Sequence, residues 1–390
     1  MSASEGGASA RAGAGGVDAA GSGDGDVKVH LFTKGAIARR EPLPFADPHG
    51  IAHTGDDKRR ALLANPLSTS PDDPAQLLGT KGDTVVARLD LVPGEVSVDG
   101  APAKALWTSQ LYVHPEHRGS LLAISLVMKM QRLSPTCMVC SVSQAAVPFF
   151  RKMKWVDFEL PRYVHLLRSR SVVERYLGKG PWQRAAARAL DLGLRVHGRA
   201  VTATTAIRAR SLEDVETPRT SKDLAPRLAE AIPGAACHRS AAWADWLLGH
   251  TFQEDPRLVR ELHEVRDRSG ALAGYFLIKA RFFEIASARA LKNIVIGSVM
   301  DWRTFDPERL DEATLVLLAA RALARRRVDA IEICAADAAT GRTLRQRGFA
   351  PAGVLHVMFR ASAKSPLADP RFRRLSSWNL RPAEGDNYFF

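Results

Sequence analysis

The stretch LYVHPEHRGSLLAISLVMKM, residues 111–130, carries the most informative pattern in the chain. Residues up to Val113 are typical of the end of a strand, Pro115 stops that strand, and the apolar spacing from 118 to 133 predicts a helix. A glycine-bearing turn at a helix N-terminus exposes backbone N–H groups without helical partners, and the helix dipole adds positive charge there. This stretch therefore predicts a strand, a turn and a helix that together form a seat for a pyrophosphate group.

The elements on either side of this turn predict an α/β chain with a mixed sheet. In the first block the predicted strands cover 27–32, 83–92, 94–100, 103–115, 137–142 and a pair within 156–167, and the predicted helices cover 56–66, 118–133 and 145–153. The second block repeats this order, with a helix at 240–250, a hairpin at 258–281, a strand at 290–302, a helix at 312–326, a strand at 328–336, a helix at 340–348 and a strand at 353–362. Two blocks with the same element order indicate an internal duplication.

Length and composition are those of an ordinary globular protein of two or three domains, because the chain has 390 residues of which 46% are apolar. The predicted organisation is a disordered Gly/Ala/Ser-rich tail over 1–27, a first lobe over 28–169, a basic helical connector over 170–222 and a second lobe over 223–390. No apolar run reaches the length of a membrane span and no signal-peptide core is present, so we expect a cytoplasmic protein.

The residues of the opening stretch resemble motif A of the GNAT (Gcn5-related N-acetyltransferase) superfamily, in which a strand ending in V-x-P precedes R/Q-x-x-G-x-G/A and a long helix. The matching residues run Arg118-Gly119-Ser120-Leu121-Leu122-Ala123, with Leu121 where the family usually has glycine. A second family segment, N-x-x-A-x-x-x-Y-x-x-x-G-F, is matched by Ser143-Gln144-Ala145-Ala146, Phe150 and Lys154-Trp155. The second block matches only this latter segment, at 337–344 and 348–349.

This resemblance implies two tandem GNAT-like lobes, the second of them degenerate. It implies acetyl-CoA as the acyl donor, no metal, and transfer of the acyl group to an amine of a small-molecule or polymer-linked acceptor. The pyrophosphate would bind at Arg118 to Ala123, through Arg118, Gly119, Ser120, Leu121, Leu122 and Ala123, and the pantetheine arm would lie along the strand from Leu111 to Val113.

Candidate catalytic residues are few, because Phe150 and Leu344 stand where many members of the family have a tyrosine that protonates the leaving thiolate. Period-two alternation predicts that Tyr112 shares one strand face with Gln110 and Thr108. His114 and His117 flank the turn and could accept a proton near neutral pH. Asp301 would serve as a base if the two clefts face each other.

The corresponding turn of the second block is acidic, since it reads DWRTFDPERLDEATLV over 301–316. Asp306 before Pro307 has the pattern of an N-cap followed by proline at the first helical position. Carboxylates at this place would neutralise the helix dipole and repel a pyrophosphate. We therefore expect no CoA in the second lobe.

The alternatives to an acyltransferase are a non-catalytic GNAT-like binding protein and an aminoacyl-transferring relative that uses charged transfer RNA. Net charge is +13, and residues 168–210 contain ten Lys and Arg against two acids. This connector could meet an anionic partner, either RNA or a membrane surface, or could be a solvated helix that clamps the lobes. No specific DNA binding is expected.

Overall fold

The computed structural model describes residues 27–383 apart from 209, 253–254, 256 and 287–290. The predicted disordered tail over 1–27 lies outside the described residues except for Val27, which begins the first strand. The strands are β1 (Val27–Thr33), β2 (Pro74–Lys81), β3 (Thr84–Val98), β4 (Ala101–Val113), β5 (Thr136–Cys140), β6 (Val156–Leu166), β7 (Leu212–Thr217), β8 (Ala235–Cys237), β9 (Val259–Asp267), β10 (Leu272–Ala286), β11 (Leu291–Thr304), β12 (Ala330–Cys334), β13 (Ala350–Ala361) and β14 (Trp378–Asn379). The helices are α1 (Lys34–Arg39), α2 (Asp56–Leu63), α3 (Leu122–Leu133), α4 (Val147–Lys152), α5 (Arg170–Leu177), α6 (Pro181–Arg208), α7 (Leu224–Leu228), α8 (Ala241–Gly249), α9 (Glu312–Arg325) and α10 (Ala338–Gln346).

One continuous mixed sheet runs through the molecule in the order β1-β2-β3-β4-β5-β13-β6-β12-β11-β10-β9-β7. In addition, β8 pairs with β3, and β14 pairs with β8. The strands β1 to β5 of the first lobe correspond in order and direction to β7, β9, β10, β11 and β12 of the second. Helix α3 connects the parallel pair β4 and β5, and α9 connects the parallel pair β11 and β12. This repetition confirms the predicted fold class of two tandem lobes.

The two lobes exchange their closing strands. Strand β6, which ends the first lobe in sequence, pairs with β12 of the second lobe, and β13, which ends the second lobe, pairs with β5 of the first. The two exchanged strands also pair with each other. Each lobe therefore depends on the other for a strand of its sheet.

The hydrophobic core has three main parts that follow this architecture. One part lies under α3 and includes Leu126 and Phe150. Another lies under α9 and includes Leu318. The largest part contains residues of both lobes, among them Trp107 and Met300, so the lobes share a core as well as a sheet.

The predicted division into separate strands is wrong at 83–100 and at 156–167, because a single strand runs through each range. Strand β3 continues through Pro93, which lies between the end of its pairing with β2 at Asp90 and the start of its pairing with β8 at Val96. Strand β6 likewise continues through Pro161, which lies opposite an irregularity in the register of β13. Unpaired edges and bulges are the positions at which a sheet tolerates a residue without an N–H.

The predicted connector over 170–222 is only partly helical. Helices α5 and α6 lie within it, but β7 also falls inside this range and pairs with β9. The sheet of the second lobe therefore begins at Leu212, before the predicted boundary at 223. None of the described helices is long and apolar enough to span a membrane.

Candidate functional site

The turn between β4 and α3 has the conformation that the sequence predicts. After β4 the chain forms one short helical turn at Pro115–His117 and reaches Gly119 with φ of +96°. This left-handed value favours glycine, because a side chain there is strained. A Cβ atom built on Gly119 would have no atom within 4 Å, so the space above the turn is open.

The N-terminus of α3 is uncapped. No side chain caps it, and none of the described residues accepts a hydrogen bond from the backbone N–H groups of Gly119, Leu121 or Ala123. The N–H of Leu122 reaches the Ser120 Oγ at a long 3.4 Å. The Leu121 side chain, which stands where the family usually has glycine, is 70% exposed. The turn thus offers several unpaired donors to an anion.

Strands β4 and β5 separate beside this turn. Their parallel pairing covers only Leu106 to Thr108 of β4, opposite Cys137 to Val139 of β5. Beyond Thr108, none of the described strands pairs with β4 on that side, and its Leu111 and Val113 pack partly buried against the core under α3. The separation leaves one edge of β4 free to bond an extended ligand along the predicted pantetheine path.

The prediction that Tyr112 shares one strand face with Gln110 and Thr108 is wrong, because β4 contains a bulge. The extra residue is Gln110, with φ of +54°, and it interrupts the register with β3. Thr108 therefore pairs with Leu91, which lies in the core under α3, whereas Tyr112 pairs with Arg88 on the opposite face. Directly opposed residues of paired strands share a face. Thr108 and Tyr112 consequently lie on opposite faces, because the bulge breaks the period-two alternation.

A buried charged cluster lies on the face of Tyr112. Asp90, only 1% exposed, accepts hydrogen bonds from Lys58 Nζ at 2.6 Å and from Arg88 Nε at 2.6 Å. Lys58 also donates to Gln110 Oε1 at 3.1 Å, so the cluster is tied to the bulge. Buried charges persist only when they are paired and hydrogen-bonded, and this cluster meets that condition. It fixes the shape of β4 where the two strands separate.

Tyr112 and His114 lie at the end of β4 that adjoins the turn. Tyr112 is 40% exposed. The His114 ring stacks on that of His49 at 4.1 Å, and its Nδ1 is buried without a hydrogen bond from the described residues. The potential metal-ligand atoms of His114, Glu116 and His117 lie within 4.8 Å of one another. Both predicted residues are thus placed beside the separated strands.

Asp301 occupies a different kind of environment. It is completely buried and receives two hydrogen bonds from Arg239, at 2.8 and 3.0 Å, and one from the Tyr275 hydroxyl at 2.7 Å. Burial, reinforced by the Asp301 carboxylate, raises the pKa of Tyr275 well above its usual value. A carboxylate held by three donors and shielded from solvent cannot reach an acceptor amine. We therefore withdraw Asp301 as a candidate base and assign it a structural role.

The equivalent turn of the second lobe is closed by its own side chains. The N-cap of α9 is Asp311, whose carboxylate accepts from the Thr314 N–H at 2.8 Å. The prediction of an N-cap at Asp306 is wrong, because Asp306 instead stabilises a separate turn by accepting from the Arg309 N–H at 3.2 Å. The start of α9 is acidic and capped by a carboxylate, whereas the start of α3 has no side-chain cap.

The C-terminal segment lies along the separated part of β11. The Ala383 N–H donates to the Met300 carbonyl at 2.8 Å, and Leu380 and Ala383 belong to the same core cluster as Met300. Arg381 stacks over the Trp302 ring at 4.3 Å. The edge of β11 that the C-terminal segment covers corresponds to the open edge of β4 in the first lobe. In the second lobe the chain itself therefore fills the space beside the strand.

Sequence reasoning missed a histidine that the strand exchange brings into the first lobe. His356 of β13 is 4% exposed and lies beside the loop that follows β5. Its Nδ1 is 2.9 Å from Asp157 Oδ1, and its Nε2 is 3.1 Å from the Gln144 side-chain nitrogen. Because an ionised carboxylate only accepts, Nδ1 carries the proton and Nε2 accepts from the amide of Gln144. The pair is 199 residues apart in sequence, and no local signal indicates it.

Known proteins resemble this chain in structure but not in sequence. No protein-family model and no curated protein sequence matches the chain. A Saccharomyces cerevisiae N-myristoyltransferase, solved with bound myristoyl-CoA and inhibitors, is similar in structure with a TM-score of 0.50 and 14% identity, over 86% of this chain and 81% of that one. A GCN5-related N-acetyltransferase from Anabaena variabilis has a TM-score of 0.49 and 13% identity, over 86% and 73% of the two chains. A probable N-acyltransferase from Enterococcus faecalis has a TM-score of 0.48 and 11% identity, over 86% and 73%.

The likeness to the yeast structure, together with the strand order, shows the fold. The chain has two tandem lobes of the GNAT fold, as the resemblance in the sequence implies.

Proposed function

We propose that this chain of two tandem GNAT lobes is an acyl-CoA-dependent N-acyltransferase whose donor binds the first lobe. The observation that supports this proposal most is the combination of the uncapped α3 N-terminus behind Gly119 with the separated strands beside it. The pyrophosphate of CoA would accept hydrogen bonds from the free N–H groups of the turn. The pantetheine arm would follow β4 from Val113 toward Gln110.

Acetyl is the acyl group that we propose, in a cytoplasmic reaction with an amine acceptor. A longer donor is the alternative for the same seat, since the yeast structure named above contains myristoyl-CoA. In the reaction the amine nitrogen bonds to the thioester carbonyl carbon, the carbon–sulfur bond breaks, the amine loses a proton and the thiolate gains one. The acceptor would approach from the face that carries Tyr112, opposite α3.

Calorimetric titration with acetyl-CoA, free CoA and myristoyl-CoA tests which acyl donor binds and whether one lobe or both lobes bind it. We expect one site per chain for acetyl-CoA and for free CoA, because of the two equivalent helices α3 begins without a side-chain cap and α9 is capped by Asp311. Two sites per chain would show that the second lobe also binds CoA despite Asp311. Absence of heat with all three ligands at millimolar concentration would overturn the proposal.

The Asp157–His356 pair is our candidate for proton transfer to the leaving thiolate. Phe150 is buried in the core and carries no acidic proton, and Asp301 is held by Arg239. His356 has the required chemistry, because an imidazole both accepts and donates protons. Its Nε2 would have to part from the Gln144 amide and take up a proton before it could protonate the thiolate. Its Nε2 faces the loop between β5 and α4, on the side of the sheet that α3 covers.

Replacing His356 by Gln should lower kcat by about a hundredfold or more while leaving the affinity for CoA unchanged, since proton transfer by a positioned side chain contributes about 10²–10⁴ to a rate. The assay is release of CoA from acetyl-CoA with the best amine of an acceptor screen. Gln144→Ala is the control, because it uncovers Nε2 without removing the imidazole, and it should retain most of the activity. Unchanged kcat in His356→Gln would exclude His356 as the proton donor.

A further inference from the structure

The surface formed by α5 and the start of α6, residues 170–192, has an unusual concentration of exposed apolar side chains. Five of the twelve large hydrophobic residues exposed in the described part of the chain lie here: Tyr176 (67%), Leu177 (56%), Trp182 (71%), Leu190 (54%) and Leu192 (63%). Single exposed apolar residues are common, but a cluster of this kind marks an interaction site. We call residues 170–192 the docking surface.

Four apolar residues of α6, namely Trp182, Ala185, Ala189 and Leu192, form a stripe that faces away from the protein. Ala187 is 6% exposed, and its carbonyl accepts from the Ser169 hydroxyl at 3.0 Å, so this side of the helix packs on the fold. Trp182 and Leu192 lie five residues before and after Ala187, about 140° away around the helix on either side. Ala185 and Ala189 lie between them and are also exposed. The outward face of α6 is therefore apolar over three turns.

Positive charge flanks this stripe. Arg175, Arg184 and Arg188 are exposed, and no carboxylate of the described residues forms an ion pair with them. The two acidic residues nearby are already engaged: Glu174 pairs with Arg170 at 2.8 Å, and Asp191 accepts from the Ser169 hydroxyl at 2.7 Å. The docking surface thus combines exposed apolar side chains with unpaired cations.

We infer that the docking surface binds the interface of an anionic lipid membrane, with α6 parallel to the membrane plane. Trp and Leu on one face with arginines at its edges are the features of helices that lie in the headgroup region. An anionic leaflet attracts each nearby arginine by about 1 kcal/mol, which corresponds to about fivefold in partitioning. RNA would satisfy the arginines and could stack on Trp182, but it would leave Leu177 and Leu192 in water. The exposed leucines favour lipid over RNA.

Flotation of the full chain with phosphatidylcholine vesicles, with and without phosphatidylglycerol, tests this inference. We expect binding to the anionic vesicles only, and a loss of about tenfold or more in Trp182→Ser/Leu192→Ser and in Arg184→Ser/Arg188→Ser. The matched control is Val215→Ser/Val259→Ser, which removes two exposed apolar residues (39% and 37%) from β7 and β9, and it should float like the wild type. All variants should keep the thermal midpoint and CoA affinity of the wild type, which separates docking from folding and from donor binding.

Three outcomes would overturn the inference. Wild-type chain that stays at the bottom of the gradient with anionic vesicles at low salt would show that no such docking occurs. Flotation that survives in Trp182→Ser/Leu192→Ser would place the lipid contact elsewhere. Binding to total transfer RNA that is lost with the arginines and kept without Trp182 and Leu192, in a chain that does not float, would identify the partner as RNA.

Discussion

A Gly119→Glu variant should lose measurable CoA binding and remain folded. The new carboxylate would stand where the pyrophosphate is proposed to sit, and repulsion between two unit charges 4 Å apart ranges from about 1 kcal/mol in water to about 4 kcal/mol near a protein surface. A pyrophosphate carries more than one charge, so we expect a loss of at least about a hundredfold in affinity by calorimetry. The chain should stay folded, because the added atoms meet open space.

Two controls isolate the charge. Gly119→Ala imposes the same backbone strain at a φ of +96°, about 1–2 kcal/mol, without the carboxylate, and should bind CoA within a few fold of wild type. Gly82→Glu adds the same charge at another open, left-handed glycine and should not affect binding. Equal affinity in Gly119→Glu and Gly119→Ala would place the CoA site away from this turn.

Asp301→Asn should destabilise the protein by about 3–5 kcal/mol, because it leaves the buried Arg239 guanidinium without its counter-charge. Both side chains are at most 4% exposed, and the single amide oxygen of Asn would have to serve the Arg239 and Tyr275 donors that two carboxylate oxygens serve now. Urea denaturation followed by tryptophan fluorescence measures the free energy of unfolding. The substitution is expected to act on stability, and CoA affinity measured on the folded fraction should be unchanged.

Asp99→Asn provides the matched comparison for a surface pair. Asp99 and Arg371 are each about half exposed, and exposed ion pairs contribute about 0–1 kcal/mol. A double replacement, Arg239→Met with Asp301→Leu, should recover much of the stability that Asp301→Asn loses, since apolar residues often replace a buried pair without cost. If Asp301→Asn cost no more than Asp99→Asn, the buried pair would not have the structural role that we assign to it.

The first lobe shows which parts of a site can be predicted from local sequence. The helix of α3, the end of β4 and the glycine turn between them are encoded within about 20 residues, through apolar spacing, Pro115 and Gly119. The structure has these elements in the predicted order, but β4 ends at Val113 and α3 begins at Leu122 instead of 118, because Pro115–His117 forms a short helical turn of its own. The position of a helix N-cap is less secure, as Asp306 and Asp311 show, because two aspartates five residues apart both fit the pattern and only packing selects between them.

The sheet face on which a side chain lies, and the strands with which its own strand pairs, are poorly predicted where that strand is irregular. A single extra residue at Gln110 reverses the relation between Thr108 and Tyr112, and nothing in the local sequence specifies a bulge. The continuous strands through Pro93 and Pro161 depend on what lies beside each proline, which is a property of the assembled sheet.

The sequence by itself determines the order of the elements, their duplication and the open glycine turn at Gly119, because these follow from short-range periodicity and backbone preference. The tertiary structure alone decides that β6 completes the sheet of the second lobe and β13 that of the first. It alone also decides that His356 bonds to Asp157, that Arg239 bonds to the buried Asp301, and that the C-terminal segment lies along β11. The Arg239–Asp301 pair is 62 positions apart in sequence, and the Asp157–His356 pair is 199 positions apart. Their formation depends on the burial of a core that both lobes share, and no local pattern in the chain encodes which distant strand will complete which sheet.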